Sequence, residues 1–249
     1  MLAEQTLRIH GAELHVETDG AGEPLLLLHG MGGCSQDWRH AGRESLAREY
    51  RLVALDARGH GRSTNPQGGF SHRQLAADVR AALDALGIAR CRAIGLSMGG
   101  NTLLHVATQE PERIEAMVVV SATPYFPEQA RAIMRTVSPD GRSAEEWRVM
   151  RERHAHGDAQ IRALWQAQHD LADSTDDMCF TPPQLARIRA RTLVIYGDRD
   201  PLYPVELGVG LFRAIPRASL WVVPGGGHGP VFLEAAEPFA RTALAFLHG

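Results

Sequence analysis

The sequence predicts an α/β fold in which helices wrap a mostly parallel sheet. Continuous apolar runs, such as residues 25–28 and 117–120, are typical of strands that are buried on both faces. Between these runs, apolar residues recur at helical spacing, so strand and helix alternate along the chain. A chain of 249 residues with 44% hydrophobic and 22% charged residues is compatible with one large domain of this class.

The first predicted elements are a hairpin and a buried strand. Apolar and polar residues alternate on both sides of Gly11, which predicts an antiparallel hairpin over residues 7–17. The strand at 25–28 ends in His29-Gly30-Met31-Gly32-Gly33, and ligands of open α/β sheets bind at the carboxyl ends of strands. A helix is predicted over residues 36–49, and a strand over residues 52–55.

The loop that follows is polar, but we expect its histidine to be structural. Residues 56–63 carry His60 between two glycines, a setting that favours local hydrogen bonding over a catalytic role. After this loop, Ser71 and Gln74 resemble a capping box. The helix that they begin has one apolar face and is expected to close at Gly87.

A serine in the middle of the chain has the setting of a nucleophile. Gly95-Leu96-Ser97-Met98-Gly99 separates a predicted strand at 91–94 from a helix that ends before Pro111. A serine between a strand and a helix lies on a sharp turn, and flanking glycines leave room for that turn. We expect the Met98 N–H to face a developing oxyanion. If Ser97 is the nucleophile, the Met31 N–H is the second donor.

The alternation of strands and helices stops between residues 123 and 185. No strand-like run occurs there, and the apolar spacing predicts three helices. We interpret this segment as a helical cap, or lid, over a core formed by residues 1–122 and 186–249. Its three histidines are spaced too irregularly for a metal face, and its aspartates between 170 and 177 are expected to be solvated.

The parallel pattern then resumes and brings two more polar groups to strand ends. The strand at 192–196 leads into Gly197-Asp198-Arg199-Asp200, and the strand at 220–223 leads into a Gly-rich loop with His228. A serine hydroxyl needs a base, and imidazole is the natural base near neutral pH. A carboxylate orients that base. Asp198 and Asp200 compete for this role, and we prefer Asp200 because Asp198 is placed to cap the turn.

The composition excludes several other classes of function. The net charge of −3 provides no basic field for nucleic acid and no polybasic patch for a membrane. Every cationic side chain is arginine, which excludes lysine Schiff-base chemistry. The three cysteines form no metal or disulfide pattern. We therefore expect neither a metal nor a cofactor, and a cytoplasmic location, because neither a signal peptide nor a membrane-length apolar run is evident. The sequence leaves a homo-oligomer open.

Five segments together resemble the α/β-hydrolase superfamily over essentially the whole chain. They are His29-Gly30-Met31-Gly32, residues 56–63, Gly95-Leu96-Ser97-Met98-Gly99, Gly197-Asp198-Arg199-Asp200 and Gly227-His228-Gly229. The resemblance implies an eight-stranded, mostly parallel sheet, with the helical cap inserted before the strand that leads to the acid residue. It also implies that Ser97, Asp200 and His228 are the catalytic triad and that the Met31 and Met98 N–H groups form the oxyanion hole.

The same resemblance narrows the expected chemistry. The sequence is most similar to small bacterial carboxylesterases, enol-lactonases and related cofactor-free enzymes. Haloalkane dehalogenases and epoxide hydrolases of this fold carry an aspartate where this chain has Ser97. The expected substrate pocket includes His29, Gly30, Trp147 and Trp165.

The leading hypothesis is hydrolysis of a small carboxylic ester or lactone through an acyl-enzyme on Ser97. A serine-triad C–C bond hydrolase or a cofactor-free perhydrolase would share every motif, so both stay open as alternatives. A third hypothesis is a receptor of the same fold that binds a small molecule without turning it over.

Overall fold

A single eight-stranded sheet runs through the described part of the chain. The computed structural model describes residues 2–249. The sheet order is β1-β2-β4-β3-β5-β6-β7-β8, with antiparallel pairing only where β2 meets β1 and β4. The predicted mostly parallel sheet is therefore confirmed. The strands are β1 (Ala3–Ile9), β2 (Ala12–Asp19), β3 (Pro24–Leu28), β4 (Arg51–Leu55), β5 (Cys91–Leu96), β6 (Ile114–Val120), β7 (Arg191–Gly197) and β8 (Ala218–Val223).

Nine α-helices accompany the sheet within residues 2–249. They are α1 (Arg43–Glu49), α2 (His72–Ala85), α3 (Met98–Gln109), α4 (Glu128–Arg135), α5 (Ala144–Arg153), α6 (Gly157–Asp170), α7 (Pro182–Leu185), α8 (Val205–Ala214) and α9 (Ala236–His248). In the same range, none of the helices combines the length and the apolar character needed to cross a membrane.

The four leucines of β3 show why the central strands read as continuous apolar runs. Alternate side chains of a strand point to opposite faces. Leu26 and Leu28 therefore pack into one core layer, whereas Leu25 and Leu27 pack into the other. The first layer includes side chains from α2, α3 and α8, and the second includes side chains from α1 and α9. Both faces of the sheet are thus covered by helices.

The helix predicted over residues 36–49 is wrong in one respect. A 3-10 helix covers Ser35–His40, and α1 begins only at Arg43. Gly42 separates them with φ +79°, and a Cβ built on Gly42 would lie 2.5 Å from the Ala240 Cβ. The break therefore depends on a close approach to α9, which local apolar spacing does not reveal.

The segment between β6 and β7 is helical and has an apolar cluster of its own. Helices α4, α5, α6 and the short α7 occupy it, and a 3-10 turn at Pro139–Gly141 precedes α5. Val137, Met150, Ile161, Leu164 and Trp165 are buried together in that cluster. The boundaries at residues 123 and 185, and the interpretation of this segment as a cap, stay predictions.

The expectation that the aspartates between 170 and 177 are solvated is wrong for Asp177. Its carboxylate accepts hydrogen bonds from the N–H groups of His72 and Arg73, at 2.8 and 3.1 Å, and pairs with the His72 ring at 2.7 Å. Burial raises the pKa of Asp177, but these hydrogen bonds outweigh it and leave the pKa at about 2. Asp177 thus supplies negative charge at the start of α2.

Buried histidines predict that the fold loses stability in mild acid. Burial lowers the pKa of His105 and of His154 to about 4, and lowers the pKa of His60 well below its usual value. Unfolded histidine titrates near 6.5, so the unfolded chain binds more protons at pH 5. We expect His105 and His154 each to remove about 2 kcal/mol of unfolding free energy between pH 7 and pH 5.

Urea unfolding of wild type and His105→Gln at both pH values tests this expectation. The variant should lose less stability than wild type on acidification, by about 2 kcal/mol. His40→Gln, which changes an exposed histidine, is the matched control. Equal losses in wild type and His105→Gln would contradict the assignment.

Candidate active site

Ser97 lies on a strained turn between β5 and α3. Its φ is +49° and its ψ is −110°, a conformation that non-glycine residues rarely adopt. Its N–H donates to the Val120 carbonyl at 2.7 Å, and its carbonyl accepts from the Asn101 N–H at 2.8 Å. The surrounding backbone therefore holds the strained residue in place, an arrangement that is common at functional sites.

Two glycines make this turn sterically possible. A Cβ on Gly95 would lie 2.5 Å from the Gly99 carbonyl carbon, and a Cβ on Gly99 would lie 2.2 Å from the Leu28 carbonyl oxygen. Both contacts are with backbone that cannot move aside. The glycines two residues before and after Ser97 are thus required for α3 to begin directly against β3.

The predicted serine, histidine and acid side chains form one hydrogen-bonded chain. His228 Nε2 lies 2.8 Å from Ser97 Oγ, and His228 Nδ1 lies 2.8 Å from Asp200 Oδ2. All three residues follow parallel strands, so their loops meet at one edge of the sheet. The structure therefore brings together three groups that are up to 131 residues apart in sequence.

Asp200 rather than Asp198 supplies the carboxylate of this hydrogen-bonded chain. Its other oxygen, Oδ1, accepts from the N–H groups of Leu202 and Tyr203 at 2.8 and 3.1 Å. Burial raises the pKa of Asp200, but the bonds from His228 and from these N–H groups lower it below its usual value overall. Asp200 is therefore ionised at neutral pH, whereas Asp198 is exposed and outside the chain.

The loop that carries His228 is held by residues that the sequence analysis did not single out. The Gly229 N–H donates to Ser121 Oγ at 3.1 Å. The Tyr203 ring packs edge-on against the His228 ring, with centroids 5.3 Å apart. Ser121 follows β6 directly and has φ +47°. The position of Ser121 at the end of a parallel strand could have indicated a site residue from the sequence. No sequence signal pointed to Tyr203.

The Met31 N–H lies in a tight turn but does not take part in the hydrogen bond that closes this turn. That bond runs from the Gly33 N–H to the Gly30 carbonyl at 3.0 Å. Gly32 has φ +71°, as the third residue of a type II turn requires. Met98 is the first residue of α3, where backbone N–H groups have no partner within the helix. The Met31 and Met98 side chains pack in one small apolar cluster.

The predicted pocket residues have different surroundings. Gly30 lies with Met31, Leu96 and Phe232 in the wall of a cleft of about 340 Å³. His29 is buried, with Nδ1 bonded to the Gly30 carbonyl and Nε2 accepting from the Ala57 N–H, so it supports this wall from below.

The two predicted tryptophans pack against each other in the helical segment. Their ring centroids are 4.6 Å apart in an edge-on arrangement, and Trp165 is buried. A pocket role for Trp147 and Trp165 stays a prediction. A larger cavity of about 740 Å³ lies between the loop after β4 and α6, and one of its walls, Phe70, packs against the Met31–Met98 cluster.

Within residues 2–249, one group of side chains has the spacing of metal ligands. The ligand atoms of Glu4, His15 and Glu17 lie within 4.8 Å of one another. Arg62 pairs with both glutamates, and Arg43 pairs with Glu17. Because arginines already balance these carboxylates, we assign the group a structural role.

A family model described as the alpha/beta hydrolase family matches residues 25–242. The chain belongs to this family. The match spans every strand from β4 to β8 and all three members of the Ser97–His228–Asp200 chain. The fold that the sequence resemblance implied is therefore confirmed.

Several relatives of this α/β hydrolase are similar over nearly their whole length. A 2-hydroxy-6-oxononadienedioate/2-hydroxy-6-oxononatrienedioate hydrolase of Pseudomonas putida is 28% identical and covers 94% of this chain and 91% of the relative. A 2-hydroxymuconate semialdehyde hydrolase of the same species is 29% identical, with coverages of 95% and 91%. The crystal structure of the enol-lactonase from Burkholderia xenovorans LB400 matches with a TM-score of 0.78 at 24% identity, over 98% and 100% of the chains.

The close approach at Gly99 predicts that the hydrolase does not tolerate a methyl group there. Gly99→Ala would force the start of α3 away from the Leu28 carbonyl, so we expect a loss of more than about 4 kcal/mol or failure to fold. Gly210→Ala is the matched control, because nothing lies within 4 Å of its built Cβ. That change lies inside α8 and should stabilise by about 0.5–1 kcal/mol. Thermal unfolding of both variants checks the prediction, and similar melting temperatures would contradict it.

Proposed function

We propose that the protein is a serine hydrolase that cleaves small carboxylic esters or lactones. The observation that carries this proposal is the continuous hydrogen-bonded chain from Ser97 Oγ through His228 to Asp200. A hydroxyl in contact with an imidazole, which is in turn oriented by an ionised carboxylate, is the arrangement that activates serine for attack on a carbonyl.

In the acylation step, Ser97 Oγ attacks the ester carbonyl and His228 Nε2 takes the serine proton. The new C–O bond produces a tetrahedral oxyanion, which accepts hydrogen bonds from the Met31 and Met98 N–H groups. The intermediate collapses, the C–O bond to the alcohol breaks, and His228 returns the proton to the leaving oxygen. Water, deprotonated by His228, then attacks the acyl-enzyme; the acyl C–O bond to Ser97 breaks, His228 returns the proton to Oγ and the acid is released.

Asp200 keeps His228 competent in both steps. Its Oδ2 accepts from Nδ1–H, which leaves the Nε2 lone pair directed at Ser97. Its negative charge stabilises the imidazolium that forms during attack. The low pKa of Asp200 preserves this charge at neutral pH.

Hydrolysis of a C–C bond is the second candidate. Both Pseudomonas putida relatives are named for substrates of the hydroxy-oxo-dienoate class, in which no ester is present. Such substrates are anionic. The cleft beside Leu96 contains one cation, Arg153, and this arginine is paired with Asp37 at 3.1 Å. An arginine that is already paired with an aspartate is less available to a substrate carboxylate, which favours a neutral ester or lactone, so C–C hydrolysis stands second.

The first test is hydrolysis of p-nitrophenyl esters from acetate to decanoate. We expect turnover by wild type and a loss of at least about 10³-fold in kcat for Ser97→Ala. A fluorophosphonate probe should label wild type and not the variant. The optimal acyl length would measure the space beside Ser97.

Three results would redirect or reject the proposal. Labelling of Ser97 without ester turnover, together with cleavage of a 2-hydroxy-6-oxo-dienoate, would replace ester hydrolysis by C–C hydrolysis. Labelling with tight product binding and no repeated turnover would indicate a receptor. Absence of both labelling and turnover would reject the serine hydrolase.

A second prediction separates the two neighbouring aspartates. Asp200→Asn should lower kcat by about 10³–10⁴-fold, because the amide favours the wrong histidine tautomer. Asp198→Asn is the matched control and should leave kcat within about 2-fold. Steady-state kinetics on the best p-nitrophenyl ester measures both. Equal effects of the two substitutions would contradict the assignment of the acid.

The expected cytoplasmic location and the absence of a cofactor stay predictions.

A further inference from the structure

Three buried histidines pack one against the next, and the outer two, His29 and His154, bond the turn that carries Met31. The ring centroids of His29 and His60 are 5.1 Å apart, and those of His60 and His154 are 6.1 Å apart. His29 follows β3 and His60 follows β4, but His154 comes from the end of α5 in the helical segment. His60 is fully buried and bonds the Arg58 carbonyl, which agrees with its predicted structural role.

The hydrogen bonds of His154 define its tautomer. Its Nδ1 lies 2.8 Å from the Gly61 N, whose N–H can only donate. The ring proton is therefore on Nε2, which donates to the Gly32 carbonyl at 3.2 Å. Burial lowers the pKa of His154 to about 4, so the ring stays neutral and keeps both bonds at neutral pH.

Two peptide planes connect the His154 ring to the Met31 N–H. The Gly32 carbonyl and the Gly33 N–H belong to one peptide group, and the Gly33 N–H donates to the Gly30 carbonyl. The Gly30 carbonyl and the Met31 N–H belong to a second peptide group, which this hydrogen bond joins to the first. Because a peptide group is planar and trans, fixing its carbonyl direction also fixes its N–H direction. A hydrogen bond from His154 is thus transmitted to Met31.

Two neighbours of His154 on α5 contact the same loop. A Cβ built on Gly32 would lie 3.7 Å from both the sulfur and the terminal methyl of Met150. Arg153 Nε lies 3.1 Å from Asp37 Oδ1, and Asp37 Oδ2 accepts from the Cys34 N–H at 3.1 Å. The last turn of α5 is therefore seated on the loop between β3 and the 3-10 helix.

We propose that His154 is a positioning residue that sets the direction of the Met31 N–H and thereby couples the seating of α5 to oxyanion stabilisation. The inference rests on the proposed function, because it takes the Met31 N–H as an oxyanion donor. His29 holds the Gly30 carbonyl from the core side at 2.8 Å, and His154 holds the Gly32 carbonyl from the helical segment. The turn is correctly oriented only when both bonds are made.

Two substitutions of His154 each retain one of the two hydrogen bonds of the ring and remove the other. In His154→Asn, the amide oxygen lies near the Nδ1 position and can accept from Gly61, but the side chain is too short to reach Gly32. In His154→Gln, the amide nitrogen reaches the Nε2 position and can donate to the Gly32 carbonyl. We expect His154→Asn to lower kcat on p-nitrophenyl esters about 10–100-fold with little change in KM, and His154→Gln to stay within about 3-fold of wild type.

The amide chemical shift of Met31 reports the geometry of this turn independently of catalysis. The chain has seven methionines, so ¹⁵N-methionine labelling gives a spectrum with few amide peaks. The Met31 peak, assigned by its loss in Met31→Leu, should shift in His154→Asn and return towards the wild-type position in His154→Gln. The peak of Met117, which is buried in β6, should not move.

His156→Asn is the matched control. His156 also bonds the core, through Nε2 to the Arg62 carbonyl at 3.1 Å, but it is exposed, and this bond reaches the loop after β4 rather than the Met31 turn. This variant should retain wild-type kcat and an unmoved Met31 peak.

The outcomes distinguish failure of the inference from failure of the proposed function. Wild-type turnover that is lost in Ser97→Ala but unchanged in His154→Asn, with an unmoved Met31 peak, would overturn the inference alone. Equal losses in His154→Asn and His154→Gln would also overturn it, because a purely structural role does not distinguish the two. Absence of turnover and labelling in wild type would reject the proposed function, and the inference with it.

Discussion

The strained turn at Ser97 is the constraint on which the rest of the site depends. Ser97 adopts φ +49° because β5 must end and α3 must begin within one residue. That abrupt change is possible only because Gly95 and Gly99 carry no Cβ, which lets α3 start against the Leu28 carbonyl of β3. The same contact places the start of α3 beside the loop after β3. The nucleophile and the two proposed oxyanion donors are therefore fixed by one close packing contact.

The parallel register of the sheet determines which distant residues can join that turn. β5, β6, β7 and β8 run in the same direction, so the loops that follow them meet at one edge. A Cβ on Gly197 would lie 2.1 Å from the Gly226 carbonyl oxygen, which shows how closely the loops after β7 and β8 approach. This approach brings Asp200 to His228. The bonds from His228 and from fixed N–H donors then keep this carboxylate charged although it is buried, where an unpaired charge would be costly.

The sequence was sufficient for features that local patterns encode. Ser97, Asp200 and His228 each lie in a short glycine-containing motif after an apolar run, so strand ends and chemistry could be read together. Features that depend on contacts between distant segments were not readable in this way. The break at Gly42 depends on Ala240 in α9.

Buried polar groups were the other class that the sequence did not predict. Asp177 is buried because it meets the start of α2, about 105 residues away in sequence. His154 had no signal beyond its residue type, because its irregular spacing from His156 and His169 carries no information about the hydrogen bonds that it makes. The spacing of residues shows which side chains share one face of a helix or strand. It does not show which of them form hydrogen bonds with distant segments.

The helical segment contacts the core through hydrogen bonds as well as through apolar packing. His154 bonds Gly61 and Gly32, Asp177 bonds the start of α2, and Gln160 Nε2 lies 3.0 Å from the Gly59 carbonyl. A hydrogen bond of this kind contributes only about 0.5–1.5 kcal/mol net, since water replaces the partner when the contact opens. Its directional requirement is nevertheless strict. Such hydrogen bonds therefore fix the orientation of the segment on the core, in addition to the apolar packing between the two.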